Sequence, residues 1–144
     1  MMKYRNTHKL FQSITGTSAV EFAIIAPLFI FLTLGMIAYG IYFGAAHSVQ
    51  QIAADAARTA IAGLNEAERQ TLAQHFIDTS GGGYVFIEAD KLEVDVSDNP
   101  DDAQQFVVSV RYDAGNLPIW RFLERLPLPG KTISRSSTIR IGGI

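Results

Sequence analysis

Hydrophobic side chains form one unbroken run near the start of the chain and thin into periodic patterns beyond it. Residues 22–54 contain no Asp, Glu, Lys or Arg, and their apolar part, residues 22–46, is 25 residues long. A helix rising ~1.5 Å per residue makes that about 37 Å, against a hydrocarbon core of ~30 Å in a bilayer. No face of the run is polar, so the pattern predicts a membrane-spanning helix that can tilt. Past it, Val49, Ile52, Ala53, Ala56, Ala60, Gly63 and Leu64 recur at three- and four-residue steps, with Gln50, Gln51, Asp55 and Arg58 filling the remainder. That spacing carries the helix out of the membrane on a narrow stripe of small residues. Asn65 and Glu68 read as an N-cap with its capping-box partner. They open a second helix to about Thr79, with Leu72, Ala73, Phe76 and Ile77 inward, and Ser80-Gly81-Gly82-Gly83 ends it.

After the glycines the period shortens to two. Residues 84–89, 92–96 and 106–112 alternate or run apolar with β-branched side chains, which predicts three strands, and Asp98-Asn99-Pro100-Asp101-Asp102 is a turn between the second and third. Residues 117–126 predict a short helix with Ile119, Trp120, Leu123 and Leu126 inward, closed by Pro127, Pro129 and Gly130. Residues 132–141, rich in Ser and Thr, predict a final strand. The expected fold class is α+β: an N-terminal transmembrane helix continuing into an extramembrane helix packed on a small antiparallel sheet.

Charge orients this plan. The chain has 144 residues and a formal net charge of −2, with Lys3, Arg5 and Lys9 unopposed ahead of the apolar run. Residues 47–144 hold nine basic and thirteen acidic side chains. Positive charge before the span and none after it until Arg58 predict a cytoplasmic N-terminus and an outer C-terminal region. The mildly acidic outer region argues against nucleic acid as a partner. A cleaved secretory signal is the competing reading, with Ala54-Asp55-Ala56 as its cleavage site, but the apolar stretch exceeds the ~7–15 residues such signals use.

Glu21 stands at the cytoplasmic lip of the span, immediately before Phe22, and is the only ionised side chain between Lys9 and Asp55. A carboxylate in a membrane helix is costly unless it reaches headgroup water or finds a partner. Five residues earlier is Gly16, in the run Gly16-Thr17-Ser18-Ala19-Val20-Glu21-Phe22 behind a basic leader. This resembles the class III signal of type IV prepilins and pseudopilins, which a membrane-embedded prepilin peptidase cuts after the glycine. The longer run SAVEFAIIAPLFIFLTLGMIAYG, with its AVEFA core and Pro27 six residues after Glu21, resembles the TadE-like family, pseudopilins of the tight-adherence (Tad, or Flp-type) pilus machinery of bacteria. The match extends over residues 12–60 and stops short of the outer region. One departure is at Met36-Ile37-Ala38-Tyr39-Gly40, where many family members carry a second acid.

The resemblance implies a leader over residues 1–16, cleavage between Gly16 and Thr17, a membrane helix over 17–46 and a periplasmic α+β domain over 47–144. It implies a non-enzymatic subunit of pilus assembly and adhesion in the bacterial inner membrane. Its partners would be the prepilin peptidase, other pilins or pseudopilins, Tad inner-membrane assembly proteins and membrane lipid. Glu21, Phe22 and Pro27 would serve subunit assembly, since a new α-amine on Thr17 of a neighbour could neutralise the Glu21 carboxylate as helices stack. A minor pseudopilin of type II secretion is a rival reading. So is an uncleaved, membrane-anchored periplasmic binding or adaptor domain.

Other features are weaker. Gly40 and Gly44, continued by Ser48, make a small-xxx-small stripe suited to close helix packing, and ordinary glycine usage in membrane helices explains them as well. Pro27 removes a helix hydrogen bond, freeing the Ala23 carbonyl, which predicts a kink or local melting. Tyr39 and Tyr42 suit the outer interface. The absence of cysteine excludes disulfides and thiol chemistry. His8, His47 and His75 lie in separate segments with no acid at metal-ligand spacing, and no triad, phosphate loop or dinucleotide fingerprint is present, so no cofactor or metal is expected. Asp95, Asp98, Asp101 and Asp102 cluster without EF-hand spacing and read as a solvated turn, with calcium the alternative. Trp120 reads as core, with a partner contact the alternative.

Overall fold

A computed structural model describes residues 14–123 and 128–141. The leader charges Lys3, Arg5 and Lys9, with His8, lie outside the described residues, as do Leu126 and Pro127. The chain divides into two compact units, Met1–Leu34 and Gly35–Ile144.

Helix α1, Ile14–Ala60, runs through both units. In the first unit its large side chains, among them Val20, Phe22, Ile24, Ile25, Leu28, Phe29 and Phe31, are exposed on every side. Burial begins in the second unit, with Ala38, and is continued by Ala45, Ala46, Val49, Ile52, Ala53, Ala56, Ala57 and Ala60. The inward stripe expected from the spacing is therefore present and longer than expected, except that Leu64 is exposed. The helix ends at Ala60, whose carbonyl accepts a bond from the Gly63 amide at 3.0 Å.

Helix α2, Glu66–Ser80, starts as predicted at Asn65, whose side chain accepts from the Glu68 amide at 3.0 Å. The Glu68 carboxylate returns one residue further back than a standard capping box, accepting from the Leu64 amide at 2.8 Å. Ala73 and Ile77 are buried as expected, whereas Leu72 and Phe76 are half-buried. The three glycines form a 3₁₀ turn, Gly81–Gly83.

Among the described residues the sheet has three strands in the order β1 (Leu92–Asp98), β2 (Gln105–Asp113) and β3 (Thr132–Arg140), all antiparallel. Leu92 pairs with Tyr112 and Asp98 with Phe106, and Tyr112 pairs in turn with Ile133. That register puts Leu92, Val94, Val96, Phe106, Val108, Val110, Tyr112 and Ile133 on one buried face, which shares a single hydrophobic core with the alanines of α1 and with Ala73 and Ile77 of α2. Fully burying an apolar side chain of this size contributes ~1.5–3 kcal/mol.

Residues 84–89, expected as a strand, are not one. Their apolar run is held as an irregular loop because side chains from elsewhere take its backbone acceptors. Ser48 donates to the Val85 carbonyl at 2.8 Å and Tyr112 to the Phe86 carbonyl at 3.2 Å. Phe86 adopts φ 63°, a left-handed conformation that no strand permits. The helix expected over 117–126 is likewise a single turn, α3, Ile119–Phe122. Ile119 and Leu123 are buried and Trp120 is half-buried, as expected of an inward face.

Candidate functional site

The residues singled out for function lie along α1, and the two units treat them differently. In Met1–Leu34, the helix begins at Ile14, so the Gly16-Thr17 peptide bond falls in its first turn. Glu21 is exposed, between exposed Val20 and Phe22, and makes no ion pair with another described residue. Pro27 lies inside α1 and the helix continues past it. The expected local melting is therefore absent, since one missing bond leaves its neighbours' bonds intact in so long a helix. Further on, Thr33 donates to the Phe29 carbonyl at 2.8 Å, a bond within the helix itself.

In Gly35–Ile144, Gly40 and Gly44 lie one turn apart and differ. A Cβ on Gly44 would come within 2.8 Å of the Phe86 ring, so this glycine serves the chain's own fold. A Cβ on Gly40 would meet nothing within 4 Å. The stripe ends at Ser48, which is buried and bonded to Val85. Gly40 alone thus keeps an open face, beside exposed Met36, Ile37 and Phe43.

Polar contacts that the sequence reading missed fasten the packed unit. Asp55 on α1 accepts from Tyr84 at 2.7 Å and from Arg58 at 2.6 Å. Burial first, then the hydrogen bond and the negative charge of Asp55, push the Tyr84 phenol up to about 12, with the Arg58 charge opposing. Arg69 is buried, donates to the Gly63 carbonyl at 3.2 Å and to Asp98 at 2.8 Å, and lies over the Phe106 ring at 5.0 Å. Gln70 bridges the outer edge of β1, donating to the Val94 carbonyl and accepting from the Val96 amide at 3.0 and 2.8 Å. Its amide stands where a further strand would pair, which closes that edge.

Two aspartates at the β1–β2 turn, Asp98 and Asp102, are occupied by protein donors. Asp98 takes Arg69, and Asp102 accepts from the Gln104 amide and the Gln105 side chain, both at 2.9 Å. Asp95 is exposed on β1 opposite Ser109. His47 lies within 3.5 Å of Gln51 on α1, and His75 is exposed on α2. Among the described residues these groups assemble neither a nucleophile with its base nor a ligand cluster.

Among the described residues, one helix is long and apolar enough to cross a membrane, and an α+β unit follows. Residues 16–58, most of this helix, match the family model described as TadE-like protein. No curated protein and no solved structure matches the chain.

Proposed function

We propose that the chain is a TadE-like pseudopilin, a non-enzymatic subunit of Tad pilus assembly, made with a basic leader that a prepilin peptidase removes after Gly16. The observation that carries this reading is the exposed carboxylate of Glu21 at the start of a helix stretch whose large apolar side chains are all uncovered. Such a stretch needs lipid or sister helices around it, and a carboxylate there needs a cation. Removal of residues 1–16 supplies one, because the new α-amine of Thr17 lies one helical turn from Glu21 and can reach the Glu21 of a neighbouring subunit. It also removes Lys3, Arg5 and Lys9, which would hold the helix at the cytoplasmic face.

In this account α1 crosses the inner membrane once, with the N-terminus cytoplasmic and the α+β unit periplasmic. Phe22 and Pro27 belong to the surface that meets sister helices, and Gly40 offers the close approach that Gly44 gives to Phe86. Partners are the peptidase, other pilins or pseudopilins and the Tad inner-membrane proteins, with adhesion as the outcome of assembly. Intact mass spectrometry of protein extracted from its native membrane tests the reading. The account expects a mature chain beginning at Thr17, and unprocessed chain when Gly16→Val puts a branched side chain at the scissile bond. A mature start at Met1, or within residues 45–57, contradicts it.

A further inference from the structure

The stretch of α1 left uncovered in the first unit is too short to cross a bilayer by itself. From Phe22 to Leu34 there are 13 residues, about 20 Å of helix against ~30 Å of hydrocarbon. A crossing helix must therefore take in several residues after Gly35, and those residues are still free of charge. They also carry protein. The Leu123 side chain lies 3.7 Å from the position a Cβ on Gly35 would occupy. Trp120 meets Tyr42 edge to face, with ring centroids 6.3 Å apart, and the Tyr42 hydroxyl donates to the Gly130 carbonyl at 3.3 Å. So α3 and its flanks are fixed against turns of α1 that fall at membrane depth.

The surface chemistry at this level matches that depth. Phe122 is 49% exposed on α3, next to exposed Arg121. Lys131 holds its ammonium 5.8 Å from the centre of the Trp120 ring. Val85 and Phe86, which packs on Gly44, are also exposed. Two tyrosines and a tryptophan, beside exposed apolar side chains and two cations on the segments that pack along the turns of α1 after Gly35, are what the boundary between acyl chains and headgroups favours.

We propose that residues 117–123 and 128–131, with exposed Phe86 on the neighbouring turn at Gly44, form a foot set into the lipid interface. Phe122 enters the acyl region, while Arg121 and Lys131 meet lipid phosphates. The foot rests on reading α1 as the membrane span. It fixes the height of the α+β unit at the bilayer and makes extraction of the helix into an assembly a step that must also lift the foot.

Trp120 is the chain's only tryptophan, so its fluorescence reports the foot directly. The full chain, reconstituted in vesicles of phosphatidylcholine with phosphatidylglycerol, is compared with lipids brominated near the glycerol end or near the methyl end of the acyl chain. The expected result is that shallow bromines quench Trp120 by at least half and deep bromines by less. A control carrying Trp120→Phe and Thr138→Trp, with its reporter on exposed β3, shows neither effect. Phe122→Glu, a change at an exposed position, halves the quenching by shallow bromines, and unchanged quenching counts against the foot. Protein that floats with the vesicles while Trp120 is unquenched by either lipid overturns the foot and leaves the span. Protein that fails to float overturns the span, and the foot with it.

Discussion

One helix, α1, has two parts of different composition and opposite fates. In residues 18–34 the apolar side chains are large, point in all directions and are exposed, from Val20 and Phe22 to Phe31 and Leu34. In residues 35–60 the buried positions are chiefly alanines on one side, while Gln50, Gln51 and Arg58 occupy the other. Side-chain size and the polar outer face of the second half together separate the two. Alanine lets a sheet approach closely and keeps high helix propensity, so the second half can be a wall of a protein core. Phe, Ile and Leu around the full circumference leave no side for a compact domain to cover, and suit lipid or sister helices.

The largest expected effect comes from changing a core residue in the packed unit. Phe106 is fully buried in the core, beneath Arg69 of α2, so Phe106→Ala should cost ~3–5 kcal/mol of stability, read as a lowered denaturant midpoint of the reconstituted protein. Phe29→Ala, in the uncovered half, should leave that midpoint unchanged. Equal effects of the two would erase the distinction between the halves.

Insertion should show the reverse dependence. Ile30→Lys puts a charge near the middle of the uncovered half and should cost ~2.5–3.5 kcal/mol of membrane insertion, seen as protein extracted by alkaline carbonate. Gln51→Lys, on the exposed side of the second half, should leave extraction as in the parent.

Much of this division could be read from residue order alone. The 25-residue apolar run, the alanine spacing after it, the Asn65 cap and the alternation in β1 and β2 are all local patterns, and each element formed where its pattern stood. Local pattern failed where distant side chains decide the backbone. Residues 84–89 have strand composition, yet Ser48 and Tyr112, 37 and 26 residues away from their acceptors, bind their carbonyls. The same holds for Gly44, whose smallness is used by Phe86, and for Arg69, a charged residue that nothing local marks as buried. The start of the packed unit is likewise set by distant contacts. It begins at Gly35, twelve residues inside the run that composition assigns to the membrane, because the contacts of Leu123 and Trp120 are made across the fold.

A smaller effect sharpens the contrast by pH. Tyr84 is tied to Asp55 in the packed half, and its phenol is pushed up to about 12 from the ordinary 10.0. The fold therefore favours the protonated form. That contribution is complete below pH 10 and is lost as the pH rises toward 12. Tyr84→Phe should lower stability by about 1 kcal/mol at neutral pH and flatten the loss over this range. Denaturant titrations at a series of pH values check it, and an unchanged slope in the variant would remove Tyr84 from the account.

The central claim is that the uncovered half of α1 is an assembly surface keyed by Glu21, and one paired measurement tests it most directly. Leader removal and surface pili are quantified in the same cells for the parent, Glu21→Ala and Glu21→Asp. Replacing the carboxylate makes the helix less costly to place in lipid, so insertion and cleavage after Gly16 should persist. Piliation should fall sharply with Glu21→Ala and partly with Glu21→Asp, which keeps the charge and shortens its reach by one methylene. Normal piliation with Glu21→Ala, alongside normal leader removal, would contradict the claim.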